Sequence, residues 1–166
     1  MNRGSALAGN LVAAFVLVTW GSSVRAGWDQ YVARTLKSVI ETNQGTIAPT
    51  SKEVYSASNF PSRVRVVYRG EVRSIPEPRL NYLARYLGEF RHKPEWVPLY
   101  AKEVLCREGD RDYWLPIQTS VLKFFKDEVK DGVTVELFVT WLGAYRNDGQ
   151  LDWVFTINEF QVGRQQ

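Results

Sequence analysis

Residues 133–160, "VTVELFVTWLGAYRNDGQLDWVFTINEF", decide how this 166-residue chain folds. Val133, Val135, Leu137, Val139 and Trp141 alternate along the first half, and Leu151, Trp153, Phe155 and Ile157 along the second. A period of two, rich in β-branched and aromatic residues, predicts two long strands, each with one buried face. The "RNDG" between them is turn chemistry, because Asn, Asp and Gly tolerate the left-handed backbone of tight hairpins. Loop length then decides which residues meet. A two-residue turn at Asp148-Gly149 would set Trp141 against Thr156 and send the apolar rows to opposite faces. A three-residue loop, Asn147-Asp148-Gly149, sets Trp141 against Phe155 and Val139 against Ile157. A slip of one residue flips every side chain, so burial selects the three-residue loop. The other face carries Phe138, Leu142 and Phe160, which predicts partial cover there by the N-terminal helix.

Three carboxylates lie in this hairpin. Asp148 is explained by turn preference, and Asp152 falls opposite Trp153 and Phe155 as a solvated strand residue. Glu159 is different, because it continues the buried row opposite Leu137. An ionised carboxylate costs several kcal/mol to bury without a partner. Either the strand bulges or ends at Glu159, or Glu159 pairs with an arginine or a ligand.

Upstream, residues 28–42 place Tyr31, Val32, Leu36, Val39 and Ile40 at helical spacing. Residues 43–61 are rich in Ser, Thr, Asn, Gly and Pro and predict a connecting loop. "SRVRVVYRGEVRSI" (62–75) alternates as a strand, with Val64, Val66, Tyr68 and Val72 inward and Gly70 marking a bulge or bend. Residues 78–91 predict a second helix with Leu80, Leu83, Ala84 and Leu87 buried. Two strands follow around "EGDRD" (108–112), then a short helix capped by Ser120.

Without the two helices of the N-terminal half, the order reads β-β-β-α-β-β. That order, with a glycine-bent first strand, resembles an OB-like five-stranded curved barrel. The fold class expected is therefore mainly β with added helices (α+β), the barrel preceded by an N-terminal helix. A cystatin- or NTF2-like cone with a curved antiparallel sheet is the alternative. The expected organisation is a signal peptide at 1–26, a helix and linker at 27–60, one β-barrel-like domain at 61–163, and a tail at 164–166.

The signal-peptide expectation rests on Arg3, the ten-residue apolar run Leu11 to Trp20, and the small-residue site ending at Ala26. That run is shorter than the roughly 20 residues of a membrane-spanning helix. The chain is therefore expected to be exported, periplasmic or extracellular, with a membrane contact only through an uncleaved N-terminal segment. Removing residues 1–26 leaves 19 basic and 18 acidic residues, net +1. Such a balance, with export, disfavours nucleic acid as a partner. The charge is unevenly spread: residues 63–93 carry eight basic and three acidic groups, net +5, and residues 94–162 carry seven and twelve, net −5. Cys106 is the only cysteine, so no intrachain disulfide forms, and a buried apolar role is expected.

The binding candidates follow from this asymmetry. Arg63, Arg65, Arg69 and Arg73 emerge on one face of the first long strand, and guanidinium forks suit carboxylates and phosphates. The bland alternative is a solvated face whose charges block edge pairing. Tyr113 and Trp114, beside the polar turn, and Glu159 complete the candidate set. A single histidine, His92, and a single cysteine build no triad, and no Gly-rich phosphate loop or metal-ligand spacing occurs, so no cofactor or metal is implied. The functional expectation is a non-enzymatic binding domain that recognises an anionic ligand or another exported protein. The alternative is a ligand-pocket or enzymatic cone with Glu159 as its internal polar residue.

Overall fold

A computed structural model describes residues 28–58 and 60–163. The expected signal peptide and tail lie outside the described residues. The described residues form a seven-stranded mixed sheet with a few helices, of the α+β class. Its strands are β1 (Val32–Ala33), β2 (Glu53–Tyr55), β3 (Pro61–Ser74), β4 (Tyr100–Glu108), β5 (Arg111–Gln118), β6 (Thr134–Asn147) and β7 (Gln150–Val162). Hydrogen-bonded neighbours run β1-β3-β4-β5-β7-β6-β2, and β3 also pairs with β6, so the pairings return to β3. Two pairs, β1–β3 and β5–β7, are parallel, and the others are antiparallel. The stretch expected to be a plain linker thus contributes β2, antiparallel to β6 with Tyr55 opposite Gly143 and the Ser56 amide bonded to the Leu142 carbonyl at 2.8 Å.

The hairpin keeps the expected partners through a different device. Asn147 pairs with Gln150, so the turn holds two residues rather than three. Asp148 (φ 49°) and Gly149 (φ 80°) are both left-handed, as a type I′ turn requires. The register then shifts between Trp141 and Gly143, where Leu142 is the extra residue, and Trp141 still meets Phe155. A bulge therefore does what the longer loop was expected to do. It also reverses the phase toward the turn, so that Leu142 and Tyr145 share the outer cluster with Val154. A second shift follows Phe138, where Asn158 is extra and Leu137 meets Phe160 instead of Glu159.

Two apolar clusters result. The main core joins the inward rows of β3 to β7 with Leu36, Val39 and Ile40 of α1 (Leu36–Gln44) and Val121, Leu122 and Phe125 of α3 (Thr119–Glu128). Fully burying each such side chain contributes roughly 2 kcal/mol. Cys106 is part of this core, and burial pushes its thiol pKa up to about 12, which leaves it inert as a nucleophile. Helix α1 starts later than expected, at Leu36, because Thr35 and Ser38 form a capping box. Ser120 does not cap α3, whose N-cap is Gln118 with no side-chain bond.

The second cluster lies outside β6 and β7, under α2 (Glu77–Arg85) and the π-helical turn Tyr86–Phe90 that continues it. The buried stripe is Arg79, Tyr82, Leu83, Tyr86 and Leu87, displaced from the expected Leu80 and Ala84. Leu80 is 37% exposed. The expected cover over Phe138 comes from Trp28 and Tyr31, edge-on at 4.3 and 5.4 Å, rather than from the N-terminal helix.

Candidate ligand-binding face

Strand alternation puts Val64, Val66 and Tyr68 inside, so Arg63, Arg65 and Arg69 emerge outside. The β3 register shifts between Tyr68 and Val72 around Gly70, and Arg73 then pairs across to Glu103 on the same outer face. The four arginines differ in what holds them. Arg63 lies 3.5 Å from Glu136. Arg65 and Arg69 are exposed and form no ion pair among the described residues. Arg73 donates from Nε to Glu103 at 2.6 Å, and its guanidinium lies 3.8 Å from the centre of the Trp114 ring.

Trp114 pairs with Leu105 on the outer face, whereas its neighbour Tyr113 pairs with the buried Cys106 and turns inward. Tyr113 is therefore a core residue, with Arg111 5.3 Å from its ring at the rim. Glu159 sits half-buried outside the main core, its Oε1 accepting from the Phe160 amide at 3.0 Å. It borders a shallow hollow with Trp28, Tyr31 and Phe138. The bulge at Asn158 resolves the Glu159 question: the inward row passes to Phe160.

Behind the Arg73–Trp114 pair stands an ion network that local sequence patterns did not suggest. Arg79, only 8% exposed, reaches from α2 to Glu103, which is 0% exposed. Its Nη2 donates to both oxygens of Asp152 at 2.8 Å, and Nη1 donates to the Trp114 carbonyl at 3.1 Å. The Tyr145 hydroxyl donates to Asp152 at 2.5 Å. Asp152, expected to be solvated, is thus a structural anchor. Burial works against the Arg79 charge, but Asp152 and Glu103 outweigh it and push its pKa up. Burial and the bond to Asp152 likewise raise the Tyr145 pKa.

This geometry limits the chemistry. Each oxygen of Glu103 accepts from a different arginine, and both oxygens of Asp152 accept from Arg79. Carboxylates so paired are poorly suited to proton transfer, which needs an oxygen within reach of the reacting group. What the network does is hold Arg73 over Trp114 while leaving its side chain 43% exposed. Arg107 and Asp112 pair side by side at 2.7 and 2.8 Å on the same face. Among the described residues, no group of three or more His, Cys, Asp or Glu is placed to hold a metal. The clue to the network was present but faint: Arg79 falls on the Leu83–Leu87 stripe at helical spacing. Comparison of the chain with protein-family models, with curated proteins and with solved structures finds no match.

Proposed function

We propose that this chain is an exported, non-enzymatic binding domain of OB-like build, taking an anionic ligand or another exported protein on the outer face of β3, β4 and β5. The OB-like reading is supported by the pairing order β3-β4-β5-β7-β6-β3 and the parallel β5–β7 contact. Helix α3 between β5 and β6 fits the same plan. Export is supported by the N-terminal apolar run.

The observation that carries the binding reading is Arg73, laid on Trp114 and fixed by Glu103. A guanidinium held in place before its ligand arrives loses less freedom on binding. Arg65 and Arg69 on the same strand form no ion pair among the described residues, and their charge adds to the attraction of this face for anions. Dextran sulfate at low salt serves as the probe. Wild type should bind it, and binding should weaken as salt rises. Arg65→Ala/Arg69→Ala and Trp114→Leu should each weaken it several-fold. Binding that persists unchanged in both variants sinks this reading.

A further inference from the structure

A half-open hollow of about 270 Å³ lies between the α2–β4 connection, the Tyr100–Gln118 end of β4 and β5, and the outer face of β6 and β7. We propose that it binds a single hexuronic acid unit, an acidic six-membered sugar, at a site that shares none of its lining residues with the arginine row of β3 or with Trp114.

The floor is polar and already ordered. Asn158 donates to Thr140 at 2.8 Å and to the Tyr31 hydroxyl at 3.1 Å, which uses both amide hydrogens and leaves its carbonyl oxygen as an acceptor. Gln118 donates to the Tyr100 hydroxyl at 3.3 Å, which leaves its own carbonyl oxygen and one N–H. Acceptors mixed with hydroxyls suit the hydroxyl groups of a sugar, which both donate and accept. A bare sulfate would face those carbonyl oxygens with nothing to donate.

The wall supplies the other two elements of recognition. Trp96, on the 3-10 helix Pro94–Leu99, lines the hollow and is 46% exposed, with the Lys93 ammonium 5.7 Å from its ring centre; an exposed indole of this kind suits the apolar side of a pyranose. Arg91 also lines it and makes no ion pair among the described residues. Its fork matches a ring carboxylate. The backbone that presents Arg91 is unusual on both sides. The Arg91 amide bonds to the Tyr86 carbonyl at 2.9 Å across the π-helical turn, and His92 is left-handed at φ 56°. π-turns and left-handed non-glycine residues cost energy and concentrate at binding sites. The volume is of a size to seat one ring.

The test is calorimetric and ligand-detected NMR titration of the folded protein with glucuronate, glucose and inorganic sulfate. Glucuronate should bind, with glucose and sulfate each about tenfold weaker or undetectable. Arg91→Gln should erase the preference for glucuronate over glucose, and Trp96→Ala should weaken both sugars. Both side chains are exposed, and matching thermal melts confirm that the variants fold. Arg65→Ala/Arg69→Ala should bind glucuronate as wild type does, which separates this site from the β3–β5 face. The proposal is overturned if wild type does not bind glucuronate or if sulfate competes equally. It is equally overturned if Arg91→Gln keeps the preference, or if the Arg65/Arg69 variant loses binding.

Discussion

Arg79 and Asp152, 73 residues apart, meet through two hydrogen bonds of 2.8 Å and tie helix α2 to strand β7. Because Arg79 also serves the buried Glu103, the guanidinium compensates two negative charges. Arg79→Met leaves both carboxylates short of a partner and should cost about 3–5 kcal/mol of unfolding free energy. Asp152→Asn leaves Arg79 on Glu103 and should cost about 1–3 kcal/mol. Urea unfolding of both single variants and the double variant measures the coupling. Strictly additive losses would show that the two residues do not act as a unit.

Gly143 is where three elements converge. A Cβ there would lie 1.9 Å from the Val54 carbonyl oxygen of β2 and 2.3 Å from the Tyr82 hydroxyl of α2. The Tyr82 hydroxyl is itself bonded to the Val54 and Leu142 carbonyls at 2.8 and 3.0 Å. The residue's φ of 133° adds backbone strain for any side chain. Gly143→Ala should therefore cost about 3 kcal/mol or more and loosen β2 selectively. Hydrogen exchange at the Ser56 amide, bonded to the Leu142 carbonyl at 2.8 Å, and the urea midpoint report the two effects. A midpoint equal to wild type would mean that β2 does not pack where it is placed.

These two sites also mark where the sequence stops being legible. Alternation of Val135 to Trp141 and of Trp153 to Ile157 was enough to identify the strands and to bring Trp141 against Phe155, since burial enforces that pairing. It could not separate a long loop from a tight turn plus a bulge, because both give the same inward neighbours. The difference shows between the bulge and the turn, where Ala144 meets Trp153 and Tyr145 turns outward onto Tyr82 with ring centres 5.3 Å apart. Likewise, a lone arginine in a surface helix reads as solvated by its own neighbours. Its burial depends on Glu103 and Asp152, 24 and 73 residues away, delivered by strand pairing. The arginines of β3 were visible because strand period alone directs them outward. Which of them is pinned to an aromatic was not, because Trp114 arrives through β4 and β5.

Glu53 links β2 to α2 and gives acid stability a specific source. Its carboxylate accepts from Arg85 at 3.1 Å and from the Tyr55 hydroxyl at 2.6 Å. Burial acts to raise its pKa, but those bonds prevail and hold it below its ordinary 4.5. A carboxyl depressed in the folded state contributes stability above its unfolded value and loses it as pH falls through the folded value. The denaturant midpoint should therefore decline as pH drops below about 4.5, the unfolded value of this group. Glu53→Gln should flatten part of that decline while lowering the midpoint at neutral pH. An acid limb of identical steepness in the variant would remove Glu53 from the account.

Glu108 performs a similar task for α1. No acidic residue lies in that helix's first turn, so the positive N-terminal end of the helix has no local counter-charge. The Glu108 carboxylate, at the end of β4, accepts from the Leu36 and Lys37 amides at 2.8 and 3.0 Å. Thr35 meanwhile accepts from Ser38 at 2.9 Å, so the strand and the capping residue divide the orphan amides between them. Glu108→Ala removes both the acceptor and the charge and should cost about 1–2 kcal/mol. Glu108→Gln keeps one acceptor and should cost less. Because α1 places Leu36, Val39 and Ile40 in the main core, the loss should appear as global destabilisation together with faster exchange of the Leu36 and Lys37 amides. If exchange quickens but the global midpoint is unchanged, α1 frays without coupling to the core, and the cap is a local device only.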